Sequence, residues 1–239
     1  MPIFQQFQHR STEEEIIDDF SMAGDEVIKT FKTIERVNTL LGGNQVLVSG
    51  VAQIIQQLSS TKETLHLFDL GCGSGDGLRA IARWARKKNI TLQLTGIDAN
   101  GFIVDYARSQ AKDYPEIRFL QQDVFDTQCS LKEADLVTFN LCLHHFTEKE
   151  QLDLLSKCRA EKVKGILIND LHRHWLAYYS FGVFCRLTGA NRIAREDGLL
   201  SIKKGFKKEE LALMAKKAGF QSHTVSWKWA FRYELSLFS

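Results

Sequence analysis

Apolar positions recur along this chain with two periods, and the alternation between them lays out the elements. Leu65 to Leu70, Leu92 to Ile97, Ile117 to Gln121, Ala134 to Asn140 and Lys164 to Asn169 are short apolar runs of strand length. Between them, Asp76 to Lys88, Gly101 to Lys112 and Glu148 to Arg159 carry helical spacing. Strands separated by helices imply parallel βαβ units with right-handed crossovers. The end of the chain differs. Lys207 to Ala218 reads as a helix stopped by Gly219, and Gln221 to Lys228 and Ala230 to Phe238 are two runs joined so tightly that they pair antiparallel.

The pattern therefore predicts an α/β fold: a doubly wound, mostly parallel seven-stranded sheet ending in an antiparallel hairpin. Helical spacing also precedes the first strand. Ser11-Thr12-Glu13-Glu14 looks like a capped helix start. Glu26 to Leu41 has an apolar stripe through Val27, Ile28, Phe31, Ile34, Val37 and Leu41, with Gly42-Gly43 as its stop. Asn44 reads as the N-cap of a helix holding Val46, Leu47, Val51, Ile54, Ile55 and Leu58. We read residues 1–62 as a helical cap and 63–239 as a cofactor-binding domain. Residues 171–206 form a lid insertion, since a βα connection usually takes about 2–6 residues. The insertion begins with an aromatic stretch, Trp175 to Leu187, too short to span a bilayer.

The most specific chemistry lies where the first strand runs into Gly71-Cys72-Gly73-Ser74-Gly75-Asp76. Glycines there let a backbone approach a ligand closely. A dinucleotide fingerprint wants Gly or Ala at its sixth position, where this chain has Asp76, and Asp69 precedes the turn where a pyrophosphate would be repelled. A carboxylate at Asp69 suits a cation or a hydroxyl-rich ligand. The second strand ends in Asp98, where doubly wound folds place the acid that holds ribose hydroxyls. The third ends in Gln122-Asp123-Val124, where Asp123 could accept from an adenine amine while the Val124 backbone lies against the ring.

With these residues the chain resembles the class I S-adenosylmethionine-dependent methyltransferases. The matching segments are Asp69 to Gly75, Gly96-Ile97-Asp98, Gln122-Asp123-Val124 and Asp135-Leu136-Val137-Thr138-Phe139-Asn140. The resemblance implies S-adenosylmethionine as cofactor. It places Asp69 and the glycine turn at the methionine portion, Asp98 at the ribose, and Asp123 with Val124 at the adenine. The implied contact set is Asp69, Gly71, Cys72, Gly73, Asp98, Ala99, Asp123, Val124 and Asn140. An acidic site is apt for a ligand that carries a sulfonium and an ammonium but no phosphate.

Composition narrows the class. A 239-residue chain with 44% apolar residues buries a substantial core, and its net charge of +2 advertises no nucleic-acid surface. Cys72, Cys129, Cys142, Cys158 and Cys185 are odd in number and lack C-x-x-C spacing, which points to a reducing compartment and no zinc site. With no signal-like run near Met1, the expected location is cytoplasmic. Arg192, Arg195, Lys203 and Lys204 leave two readings open: a solvated basic face, or a surface for an anionic headgroup that would give transient membrane contact.

Candidate catalytic residues follow the fourth and fifth strands at the carboxyl edge of the sheet, where ligands bind in open α/β folds. His144 and His145 offer a base near neutral pH, against the plainer reading of a pair that fixes the loop. Asp170 is a further base or a substrate anchor, and His172, Arg173 or His174 could face an acidic or phenolic oxygen. Side chains at His172 and His174 should diverge, so no metal is expected. The Pro-Pro-aromatic motif of enzymes that methylate DNA bases or glutamine is absent after Asn140. Within its class the chain looks similar to small-molecule enzymes of quinone and polyketide-type pathways, which implies O- or C-methylation of a small, apolar or aromatic acceptor. Two other classes stay in view: a nicotinamide-dependent oxidoreductase, and a non-catalytic cofactor-binding module lacking an acceptor pocket. The sequence does not set the oligomeric state.

Overall fold

The computed structural model describes residues 3–58 and 64–238, so the boundary drawn at residues 62 and 63 lies outside the described residues. Seven strands form one sheet: β1 (Leu65–Leu70), β2 (Leu92–Asp98), β3 (Ile117–Gln121), β4 (Leu136–Asn140), β5 (Gly165–Leu171), β6 (Ser222–Lys228) and β7 (Arg232–Phe238). Their order is β3-β2-β1-β4-β5-β7-β6. The pairs β1–β2, β1–β4, β2–β3 and β4–β5 are parallel, while β7 runs antiparallel to both β5 and β6. The chain reverses direction across β1 and β4, which opens a crevice at their carboxyl ends.

Side chains alternate across the sheet and build two cores. Leu65 and Leu67 of β1, Leu94 of β2, Leu136 of β4 and Leu167 of β5 face one way. They are covered by α2 (Gly43–Leu58), α3 (Asp76–Lys88) and α4 (Gly101–Gln110). Phe68, Leu70, Val137, Phe139, Ile166 and Ile168 face the other way, under α5 (Glu148–Ala160) and α8 (Lys208–Lys217). This period of two is what a sheet buried on both faces requires.

Two differences from the sequence reading have plain causes. Ser11 to Glu15 forms no helix and is followed only by a 3₁₀ turn at Ile16–Asp18, because Asp197 accepts from the Ile16 and Ile17 amides (2.9 and 3.0 Å) and fixes that short turn. Helix α2 begins at Gly43, leaving Asn44 in its first turn rather than at its cap, and α2 packs on the sheet beside α3. Above the crevice stand α1 (Asp25–Leu40), α6 (Trp175–Thr188) and α7 (Arg192–Lys204). Helix α7, read from sequence only as a basic stretch, starts where the Asn191 side chain accepts from the Ala194 amide.

Candidate active site

A cavity of about 1630 Å³ lies between the carboxyl ends of the strands and the helices above them. Its floor is the turn after β1. Gly71 has φ +70°, and a Cβ there would overlap Cys142 Sγ; at Gly73, with φ +51°, a Cβ would stand 2.9 Å from the Phe31 ring of α1. Only glycine fits the turn at these two points, and the backbone is left facing the cavity.

Gly71, Cys72, Gly73, Asp98, Ala99, Asp123, Val124 and Asn140 all line this cavity. Asp69 does not. It is 2% exposed behind the turn, accepts from Thr138 Oγ1 at 2.6 Å, and burial pushes its carboxyl up to about 7. Asp76, which the sequence reading used to reject a dinucleotide site and to start a helix, reaches the cavity; Asn38 donates to it at 3.3 Å. Burial raises Asp76 and Asp98 above the usual carboxylate range. Asp98 takes the Gly73 amide on one oxygen (2.8 Å) and the Asn100 amide on the other (3.0 Å), which locks its rotamer and leaves acceptor capacity for a hydroxyl. Asp123 is fixed by the Phe125 amide at 2.9 Å.

The candidate catalytic residues come together at the ends of β4 and β5. Asp170 is fully buried and does not reach the cavity. Its carboxylate accepts from His144 Nδ1 (2.7 Å), the His144 amide (3.1 Å) and the Leu171 amide (2.7 Å). Burial alone would raise its pKa, but His144 and these hydrogen bonds outweigh burial and hold it below the usual range. An ionised Asp170 can only accept, so His144 donates from Nδ1, and in the neutral ring the lone pair therefore lies at Nε2. That Nε2 is buried without a hydrogen-bond partner on the cavity wall.

His145 plays a different part. Its Nδ1 lies 2.6 Å from Asp18 Oδ1, and its ring sits 4.3 Å from that of His144. Burial works against its charge, yet Asp18 and Glu15 outweigh this and keep its pKa raised. The sequence reading missed Glu15, taking its neighbours for a helix start. Glu15 Oε2 accepts from Ser201 Oγ at 2.6 Å, while Oε1 has no hydrogen-bond partner and lies 3.7 Å from His144 Nε2. One donor atom each from Glu15, His144 and His145 falls within 4.8 Å of the others, a spacing that could hold a metal. Here Lys204 Nζ, 3.5 Å from Glu15 and 3.4 Å from Asp18, supplies the positive charge, so the set is built as an ion-pair network. Lys204, expected on a basic surface, is 4% exposed for this reason.

His172, Arg173 and His174 do not reach the cavity. Arg173 is 1% exposed, pairs with Glu210 and donates to the Phe7, Gln8 and Gly205 carbonyls. It ties the N-terminal segment to the α7–α8 junction. The His172 and His174 rings do not diverge but lie 5.1 Å apart, packed among Phe231, Tyr233 and Trp175. The aromatic stretch does roof the cavity: Phe181 and Phe184 of α6 face it across from Phe31 and Ile34 of α1.

Residues 67–161 match the family model for a methyltransferase domain. No curated protein matches the chain. Among solved structures, the plantazolicin methyltransferase BpumL in complex with SAH is similar with TM-score 0.63 at 15% identity, over 90% of this chain and 94% of that one. The citrinin polyketide synthase CMeT domain gives 0.57 at 11% identity, over 79% and 50%. Magnesium protoporphyrin IX methyltransferase ChlM from Synechocystis PCC 6803 with bound SAM gives 0.54 at 15%, over 93% and 88%. At such identities the structural likeness speaks for the fold. The match over residues 67–161 to a methyltransferase domain and the shared fold agree with the resemblance to the class I S-adenosylmethionine-dependent methyltransferases. Of these structures, BpumL is in complex with SAH and ChlM has SAM bound.

Proposed function

We propose that this chain transfers a methyl group from S-adenosylmethionine to an oxygen or carbon of a small apolar or aromatic acceptor, with His144 as general base. The observation that carries the reading is the geometry of His144: one ring nitrogen held by buried Asp170, the other on the cavity wall without a hydrogen-bond partner. The cavity exceeds the roughly 300–1,000 Å³ of ordinary ligand sites, so it has room for donor and acceptor together and does not suit a cofactor-binding module without an acceptor.

The cofactor would supply an electrophilic methyl on a sulfonium. Around it, the Gly71–Ser74 backbone and Asn140 would cradle the methionine portion, with Asp76 near enough to the turn to meet its ammonium. Asp98 would take the ribose hydroxyls, and Asp123 with Val124 the adenine. On the other side, Phe31, Ile34, Phe181 and Phe184 offer an apolar wall to the acceptor and keep water from the reacting centre. His144 Nε2 accepts the acceptor's proton, and Asp170, too buried to touch substrate, positions the ring and stabilises its protonated form. The cap is formed by α1, the segment before it, α6 and α7.

A panel of phenols, quinols and pyrones incubated with methyl-labelled cofactor tests the reading. Label should pass to one of these classes in the wild type and fall by about 10² or more in His144→Ala. Equal transfer by wild type and His144→Ala would remove the base from the mechanism.

A further inference from the structure

Arg232, the first residue of β7, is paired in register with Leu171 of β5, the residue after Asp170. Its side chain is 2% exposed and lines the deep end of the cavity with Asn38, Leu41 and Leu171. Long, weak hydrogen bonds run from Nη1 to the Leu41 carbonyl (3.2 Å) and the Ala230 carbonyl (3.4 Å). These fit a cation at the C-terminus of α1 and explain one edge of the guanidinium. The other edge is unexplained: Nε is buried with no hydrogen-bond partner, and among the described residues Nη2 donates to nothing and no carboxylate forms an ion pair with this side chain.

The acids nearby are committed elsewhere. Asp170 holds His144 and two amides; Glu234, on the same face of β7, pairs with Lys228 through Oε1 at 3.2 Å, and its Oε2 lies buried against Gly50 of α2, with no ion pair to Arg232. Burial lowers the Arg232 pKa to about 10, which still leaves it charged at neutral pH. A buried guanidinium without an anion is costly unless a partner completes it. Its vacant Nε–Nη2 edge is the one that receives a carboxylate side-on, through two parallel hydrogen bonds.

We propose that Arg232 is a carboxylate-binding residue of the methyl-transfer cavity, taking the carboxylate of a bound molecule on its Nε–Nη2 edge. Two molecules at this site could bring that group: the cofactor, through its methionine carboxylate, or an acceptor that is itself an aromatic acid. The inference rests on the reading of the cavity as a site of methyl transfer.

Calorimetry on the full chain separates these cases. S-adenosylhomocysteine and its decarboxylated analogue are titrated into the wild type and Arg232→Gln, and 4-hydroxybenzoate and 4-hydroxybenzamide are titrated with and without S-adenosylhomocysteine. If the cofactor is the source, the wild type prefers S-adenosylhomocysteine over the analogue by about tenfold or more, and Arg232→Gln erases that preference by weakening only the carboxylate form. If the acceptor is the source, the cofactor pair is unaffected and the preference for benzoate over benzamide is lost instead. Should Arg232→Gln fail to fold, Arg232→Lys, which keeps the charge and loses the planar edge, gives the same comparison. A folded variant that leaves both preferences at their wild-type ratios overturns the proposal. Failure of the wild type to bind S-adenosylhomocysteine would instead sink the reading of the cavity, and Arg232 would then stand or fall on the benzoate pair.

Discussion

Replacing Asp170 by asparagine changes one oxygen to an amide nitrogen with almost no change in volume, yet three donors converge on the native carboxylate. If the asparagine oxygen stays at the Oδ1 position, it still accepts from His144 Nδ1 and the Leu171 amide, but its NH₂ opposes the His144 amide that now bonds at 3.1 Å. If it is turned over, the NH₂ opposes both Nδ1 and the Leu171 amide, and the imidazole must shift its proton to Nε2 to give Nδ1 a lone pair. Either way a buried donor loses its acceptor, which costs about 1–3 kcal/mol. For a chain of this size about 2 kcal/mol lowers Tm by roughly 4–8 °C. Where the tautomer shifts, the lone pair at Nε2 is gone, and turnover should fall by about 10²–10⁴ while cofactor affinity holds. Nitrogen NMR on histidine-labelled protein reads the tautomer directly and needs no acceptor. The wild type should show the Nδ1–H form at His144. A wild-type ring protonated on Nε2 alone, or an Asp170→Asn protein with unchanged Tm and unchanged His144 signals, would refute the reasoning.

Further outcomes follow from the same geometry. Asp98→Ala should cost about 1.5–3 kcal/mol of S-adenosylhomocysteine affinity by calorimetry, the worth of a charge-assisted contact to the ribose diol. Gly71→Ala forces a Cβ onto Cys142 Sγ at φ +70° and should both lower Tm and abolish cofactor binding, while Gly189→Ala, also at positive φ but with nothing within 4 Å, should show only modest backbone strain. Asp69 has a folded pKa of about 7 against 3.8, so the fold binds the extra proton between those values and loses stability as pH rises through that window, by up to about 4 kcal/mol. Urea unfolding at pH 5 and pH 8 should show a smaller pH dependence in Asp69→Asn than in wild type, and equal slopes would contradict the assignment. Hydrogen exchange of α6 and α1 should slow when cofactor and acceptor are both present, and full protection in the empty protein would make them fixed packing helices instead.

How much of this was legible in the sequence follows physical lines. The strands were readable because their apolar runs are bounded by turn residues and helices with clean spacing; β1 and β3 fall at Leu65–Leu70 and Ile117–Gln121 as expected. The glycine turn was readable because its demand is local. What escaped depends on long-range partners. Nothing around Glu15 says that Ser201 and Lys204, almost two hundred residues away, will hold it against His144. Lys204 looks like a surface cation and Arg173 like a substrate contact until Glu15, Asp18 and Glu210 arrive to bury them. Asp69 shows the same limit from the other side: its place in the motif is plain, but only the sheet, through Thr138 of β4, turns it away from the cavity.

The measurement closest to the central claim is a calorimetric titration of the wild-type chain with S-adenosylhomocysteine and, in parallel, with NADH. An acidic, phosphate-averse turn over a glycine floor should bind one S-adenosylhomocysteine per chain, lose that affinity in Asp98→Ala, and show no heat with NADH. Binding of NADH with no binding of S-adenosylhomocysteine would contradict methyl transfer as the activity of this fold.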